Sequence, residues 1–227
     1  MSGLVAVIRP ASILRRAALL LAMVGAGGCD SGVQTTQDAS RRVRDSYAWM
    51  ADAELCPADL MHEGMRVNGL KAMSCDGSAL PQCYRECRRG DVDSCYWLAS
   101  TLEHAKADDP AVQALYQHAC TLGEPSGCTN RAARLYLGNR RDAGVTACAA
   151  RTFERTCALK DAWGCAMYGN ALHEGVGVPQ DDARALQALA DACVNGDASS
   201  PACGAAQELK EVIRKTAPAA SSGPGGP

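Results

Sequence analysis

The sequence predicts an all-α protein, a solenoid of about four stacked helix pairs, and three observations predict it. Cysteines recur as Cys87/Cys95, Cys120/Cys128, Cys157/Cys165 and, slightly stretched, Cys193/Cys203, with the second cysteines 33, 37 and 38 residues apart. A period in that range marks stacked supersecondary units. An apolar residue sits four positions before the first cysteine (Tyr116 before Cys120, Phe153 before Cys157, Leu189 before Cys193), which places both on one helix face. After the second cysteine, Leu98 and Leu102, Arg131 and Leu135, or Tyr168 and Leu172 continue at three-to-four spacing on another helix. Between the helices, Gly90, Gly123 and Gly196 supply the left-handed residue that ends a helix, and the third repeat carries Lys160 there instead.

The elements follow in chain order. Residues 1–28 read as an export signal: Arg9, Arg15 and Arg16 precede the apolar run Ala17–Val24, which is too short to span a bilayer and is followed by small residues. A buried core helix is the other reading of that run. Its end, Val24-Gly-Ala26-Gly27-Gly28-Cys29, resembles a bacterial lipobox with Ala26 where that motif prefers leucine; the resemblance implies cleavage before Cys29 and a lipid on it. Parity agrees, because 13 cysteines become an even set once Cys29 carries lipid. Ordinary cleavage nearby, with Cys29 free or disulfide-bonded, is the alternative. Residues 29–45 are polar and read as a flexible tether, and Asp30 resembles an inner-membrane retention signal of enteric bacteria. Residues 46–78 hold Tyr47, Trp49, Leu60 and Met61, enough to cover the open end of a solenoid as a cap; Met61-His-Glu-Gly64 matches Leu172-His-Glu-Gly175, so a degenerate repeat is the other reading. Residues 79–216 carry the repeats. Residues 217–227 are too rich in proline, glycine and small residues to pack and read as a disordered tail.

The third repeat carries a specific pattern: Gly164-Cys165-Ala-Met-Tyr168-Gly169-Asn-Ala-Leu172-His-Glu-Gly175-Val-Gly177-Val178-Pro179-Gln-Asp181. It resembles the Sel1-like repeat, a relative of the tetratricopeptide repeat, in the disulfide-containing form of the Helicobacter cysteine-rich proteins. The resemblance covers about residues 79–216; the first, second and fourth repeats keep the cysteines, the helix-ending glycine and part of the leucine pattern. It implies a right-handed α/α solenoid in which Cys87–Cys95, Cys120–Cys128, Cys157–Cys165 and Cys193–Cys203 each staple one helix pair. Export is consistent with this, since disulfides persist outside the cytosol. A closed loop of about nine residues contributes roughly 2.5 kcal/mol on the chain-entropy model. The chain has a single phenylalanine, Phe153, and many alanines, so its core is thin and such staples matter.

Cys56, Cys75, Cys83 and Cys148 stand outside the staples and allow three pairings, among which the sequence does not choose. Cys83 falls four residues before Cys87, at an inward position, and a bond from Cys56 or Cys83 to Cys75 would anchor residues 46–78 on the first repeat. Cys148 has no obvious partner and reads as buried and reduced, or as paired between chains. The spacings argue against structural zinc, which asks for two close pairs of ligands; only Cys83-x3-Cys87 comes near, and the four histidines are scattered.

Removing residues 1–28 takes away three arginines and no acid, shifting the formal charge from −2 to −5, a balance that argues against a nucleic-acid partner. Arg131, Arg134, Arg140 and Arg141 form the one basic cluster and read as a solvated face or a site for an acidic partner. No serine β-lactamase motif set, no Gly-x-Ser-x-Gly and no zinc-protease helix is present. His173-Glu174 reads as a helix C-terminus closed by the following glycine, as does His62-Glu63. No cofactor or catalytic residue is expected. The leading expectation is a non-enzymatic envelope lipoprotein, lipid-anchored, whose solenoid surface grips an envelope protein, with Tyr96, Trp97, Tyr136, Arg131 and Arg134 as candidate contacts. Two alternatives stand beside it: binding of a β-lactam or peptidoglycan fragment, which only family resemblance suggests, and a purely structural envelope role.

Overall fold

The computed structural model describes residues 34–216 apart from Arg66 and Asn68; the expected signal segment, Cys29 and the tail at 217–227 lie outside the described residues. The described residues form α-helices, one short 3-10 turn and connecting loops, without strands. Three helices come first: α1 (Thr36–Arg44), α2 (Tyr47–Asp52) and α3 (Pro57–Leu60). Four pairs follow. They are α4 (Leu80–Cys87) with α5 (Val92–Ala105), α6 (Pro110–Thr121) with α7 (Pro125–Gly138), α8 (Ala143–Ala158) with α9 (Ala162–Glu174), and α10 (Asp182–Asn195) with α11 (Pro201–Thr216). Each helix packs on the next in sequence, so the four pairs stack as an all-α solenoid. None of these helices is long and apolar enough to cross a membrane.

Local chemistry explains why the pairs form. Asp91, Glu124 and Asp161 cap α5, α7 and α9, each accepting a backbone N–H of the first turn, and Asp109, Asp142 and Asp181 do the same for α6, α8 and α10. The first helix of each pair ends in a left-handed residue, Gly90 (φ 91°), Gly123 (φ 101°) or Lys160 (φ 71°). The next amide then reaches back five residues, as in Asp91 N–H to Glu86 O at 3.0 Å and Asp161 N–H to Thr156 O at 3.0 Å. The fourth pair differs from expectation: Gly196 is extended (φ −90°, ψ 171°). Two extra residues before Cys203 relieve the tight turn, and Ser200 Oγ takes over the capping by accepting Cys203 N–H at 3.2 Å. Lys160 is the one left-handed side chain of the repeats, so Lys160→Gly is expected to raise stability by roughly 0.5–1 kcal/mol. Urea denaturation of the oxidised protein checks it; an unchanged or lower midpoint would contradict the strain.

Six disulfides join the described cysteines: Cys87–Cys95, Cys120–Cys128, Cys157–Cys165, Cys193–Cys203, Cys75–Cys83 and Cys56–Cys148. The four hairpin bonds hold Cα atoms only 4.3–4.7 Å apart, a crossing close enough to need a small residue beside it. A Cβ on Gly127 would lie 2.8 Å from the Tyr116 carbonyl oxygen; Ser94 and Ala202 hold the equivalent place. Cys148, expected to be unpaired or intermolecular, is bonded within the chain to Cys56 across 92 residues. So many disulfides mark a chain that folds in an oxidising, extracytoplasmic compartment.

The N-terminal segment departs furthest from expectation. Residues 36–44, read as part of a tether, form a helix whose Ala39 and Val43 are fully buried. The segment expected to cap one end of the solenoid instead runs along its side: α1 packs on α4, α5 and α6, α2 on α6, and α3 on α6, α7 and α8. Small apolar residues, Ala39, Ala53 and Ala58, let it approach closely, and Trp49 stacks on His118 at 4.6 Å. Tyr47, expected in the cap, is 87% exposed. Met61-His-Glu-Gly64 is not a helix end, because α3 stops at Leu60, whereas Gly175 does close α9 in the left-handed conformation.

Candidate functional site

The first helices of the pairs, α4, α6, α8 and α10, present one face, and residues 36–61 lie across its first three pairs as a strap. The contacts between them are largely to main chain. Arg131 Nη2 donates to Ala53 O at 2.6 Å, Gln117 Nε2 to Leu55 O at 3.4 Å, and Arg155 to Ala58 O and, at 3.2 Å, to Met61 O. Thr152 Oγ1 accepts Ala58 N–H at 3.2 Å. Side-chain recognition is sparser: Arg151 binds Asp59 at 2.6 Å, and Asp109 accepts Ser40 Oγ at 2.5 Å and Arg44 at 2.8 Å. Gln117 is fully buried and its Oε1 is unpartnered; Arg131 Nε is likewise. Burial holds the Arg131 guanidinium below its ordinary pKa and His118, under Trp49, below its own. Asp109 feels burial too, yet the bonds from Ser40, the Ala111 amide and Arg44 prevail and lower it.

One pair further on, the same register is open. Counting from the staple cysteines, Tyr168 replaces Arg131, Glu154 replaces Gln117, Gln187 replaces Arg151, Asp191 replaces Arg155 and Arg184 replaces Cys148. These residues line a cleft of about 260 Å³ between α8 and α10. Within it Tyr168 O–H donates to Glu154 at 2.7 Å, Arg184 reaches Glu154 at 3.3 Å, and Gln187 donates to Asp191 at 3.0 Å. Burial and the Glu154 carboxylate push the Tyr168 phenol up to about 12. The strap therefore fills the face over pairs one to three, and among the described residues nothing covers its continuation.

The candidate contacts read from sequence are placed as follows. Tyr136 is fully buried against Phe153 and donates to Glu174 at 2.6 Å, so it is core and not a contact surface. Tyr96 is partly buried, accepts Asn130 Nδ2 at 3.1 Å and packs edge-on against Trp97 and Tyr116. Trp97 Nε1 donates to Lys71 O at 2.8 Å, holding the loop before α4. Arg134 pairs with Glu103, Arg140 with Glu174, and Arg131 with the strap; three of the four arginines of the basic cluster thus have partners within the chain, Arg140 while remaining exposed. The chemistry that sequence reading missed is Asp161, beneath the second and third pairs. Its buried carboxylate accepts Ser126 Oγ at 3.0 Å, Thr129 Oγ1 at 2.6 Å and Gly164 N–H at 2.9 Å. Polar residues in a core register, Arg131 where the first repeat has Leu98 above all, were the signal that marked the strap site.

Sulfurs of Cys87 and Cys95 and the His118 ring lie within 4.8 Å of one another, but the two sulfurs are bonded to each other and offer no thiolate to a metal. His173 pairs with Asp182 at 2.7 Å and ties the end of α9 to the start of α10.

Fold and site together define a class: a disulfide-stapled solenoid of helix pairs with one face partly covered by its own N-terminal segment. Neither a family model nor a curated protein matches the chain. Among solved structures it is similar to a Sel1 repeat protein from Oxalobacter formigenes, at 17% identity and TM-score 0.46 over 59% of this chain and 97% of that one. It is also similar to the Helicobacter pylori cysteine-rich protein B, at 24% identity and TM-score 0.39 over 56% of this chain and 90% of that one.

Proposed function

We propose that the protein is a non-enzymatic interaction scaffold of the bacterial cell envelope, anchored through lipid on Cys29, which binds an extended segment of a partner protein along its first-helix face. The observation that carries this reading is the grip on the strap. Arg131, Gln117 and Arg155 donate to successive main-chain carbonyls of residues 53–61, and such a grip accepts many sequences because every peptide has those carbonyls. The open cleft between α8 and α10 continues the same track. Asp191, held only by Gln187 among the cleft residues, favours a basic side chain there.

The test places a photo-crosslinking residue at Gln187 in the full chain, with Leu137, 63% exposed at the end of α7, as the control position. One partner captured at Gln187 but not at Leu137, with yield reduced about tenfold by Asp191→Lys, is the expected outcome. Equal capture at both positions, or binding of muropeptides without a protein, would overturn the reading.

A further inference from the structure

Five of the six disulfides close short loops, with sequence separations of 8 or 10 residues, whereas Cys56–Cys148 spans 92. Access separates it as well. In each of the other five at least one cysteine is buried, while Cys56 and Cys148 are both partly exposed. The Arg151 guanidinium lies 3.4 Å from Cys56 Sγ while it holds Asp59 of the strap. A cation beside a sulfur stabilises its thiolate and makes it the better leaving group, and access decides which disulfide a thiol can reach.

We propose that Cys56–Cys148 is a thiol–disulfide exchange site for a dithiol reductant, and that opening it releases residues 53–61 from the first-helix face. A thiolate of the reductant attacks Cys148 Sγ. The S–S bond breaks and its electron pair leaves on Cys56 Sγ, beside Arg151. The second thiol of the reductant, as thiolate, attacks its own sulfur in the mixed disulfide and expels Cys148 as thiolate. Two electrons pass to the protein; the reductant becomes a disulfide, and its two protons end on Cys56 and Cys148.

The repeats keep their own staples throughout, so the solenoid stays folded while the strap loses its one covalent hold. What remains is non-covalent and exchangeable: carbonyls at Ala53, Leu55, Ala58 and Met61, the Ala58 amide on Thr152, the Asp59–Arg151 pair and the buried side chains of Ala53, Pro57, Ala58 and Met61. A peptide offering the same main-chain groups competes for Arg131, Gln117 and Arg155. The consequence for binding rests on the scaffold reading above; the exchange chemistry does not.

The experiment exposes the folded, oxidised full chain to graded dithiothreitol without denaturant, quenches by alkylation and maps the labelled cysteines by mass spectrometry. Cys56 and Cys148 are expected to label about tenfold faster than any other pair, and Arg151→Gln to slow their opening severalfold. Hydrogen exchange of residues 53–61 should rise once the bond is open, while α8 and α9 stay protected. Cys56→Ser/Cys148→Ser should reproduce that exchange pattern without reductant. Opening in step with the hairpin bonds, or an open bond under a strap that stays protected, would overturn the proposal. A bond that opens and a strap that moves, with no cross-linked partner at Gln187, would leave the exchange site standing and remove only the scaffold reading.

Discussion

Replacing Asp161 by alanine is expected to destabilise the protein by about 4 kcal/mol, as the change orphans the buried Gly164 amide, removes the charge-assisted bonds from Thr129 and partly buried Ser126, and leaves Thr129 only Thr156 Oγ1 at 2.9 Å. Ser126 Oγ, Thr129 Oγ1 and the Gly164 amide all end on this carboxylate. Two of the three come from α7 and one from α9, so the residue joins the second pair to the third as well as capping its own helix. The measurement is the denaturant midpoint of the oxidised protein. A loss of about 1 kcal/mol, the ordinary cost of an N-cap, would show that the inter-pair bonds contribute little.

The same residue makes a pH prediction. Burial raises the Asp161 carboxyl above its ordinary range, against the bonds from Thr129, Gly164 and Ser126. A group whose folded pKa lies above its unfolded value contributes stability that is complete below the unfolded pKa and is lost as pH rises through the folded one. Acidification from about pH 7 to about pH 4 should therefore favour the wild type relative to Asp161→Asn. Glu124 is also raised, chiefly by burial and in part by the Asp161 charge, so the comparison is made with Glu124→Gln in both proteins. Parallel stability profiles would show that Asp161 titrates normally.

Gly177→Ala is expected to cost about 4 kcal/mol as well, by a different route. Gly177 lies in the connection from α9 to α10 with φ 75°, and a Cβ there would sit 2.1 Å from the Thr146 carbonyl oxygen. A side chain in that conformation already costs about 1–2 kcal/mol, and the obstruction is backbone of α8, which no rotamer change can move aside. Gly204→Ala serves as the control: nothing lies within 4 Å of its added Cβ in helix α11, so it should gain roughly 0.5–1 kcal/mol from helix propensity. Thermal melts of both variants decide the matter. A mild Gly177→Ala would mean that the connection shifts freely against α8.

The repeats were legible because their determinants are local. A helix face is written at three-to-four spacing, a left-handed end in Gly90 and Gly123, and a staple in two cysteines eight residues apart, so Tyr116, Phe153, Leu98 and Leu172 could be assigned inward from spacing alone; all are buried. Where the spacing changes, the inference weakens: the two added residues before Cys203 turned Gly196 from left-handed to extended. The strap was illegible for the opposite reason. Residues 36–44 are polar over most of their length, and Ala39 and Val43 are the only apolar side chains they bury, too little apolar surface to distinguish a docked helix from a tether.

The sequence by itself determined the four helix pairs, the left-handed ends at Gly90 and Gly123 and the order of the pairs, since each of these is set within some forty residues of chain. The tertiary structure alone decided that Cys148 meets Cys56, that Arg131 and Gln117 turn to carbonyls of the N-terminal segment, and that Asp161 gathers donors from a neighbouring pair. These contacts join residues 30 to 100 positions apart. Their partners are chosen by where stacking brings two surfaces together, and no local period in the chain records that distance.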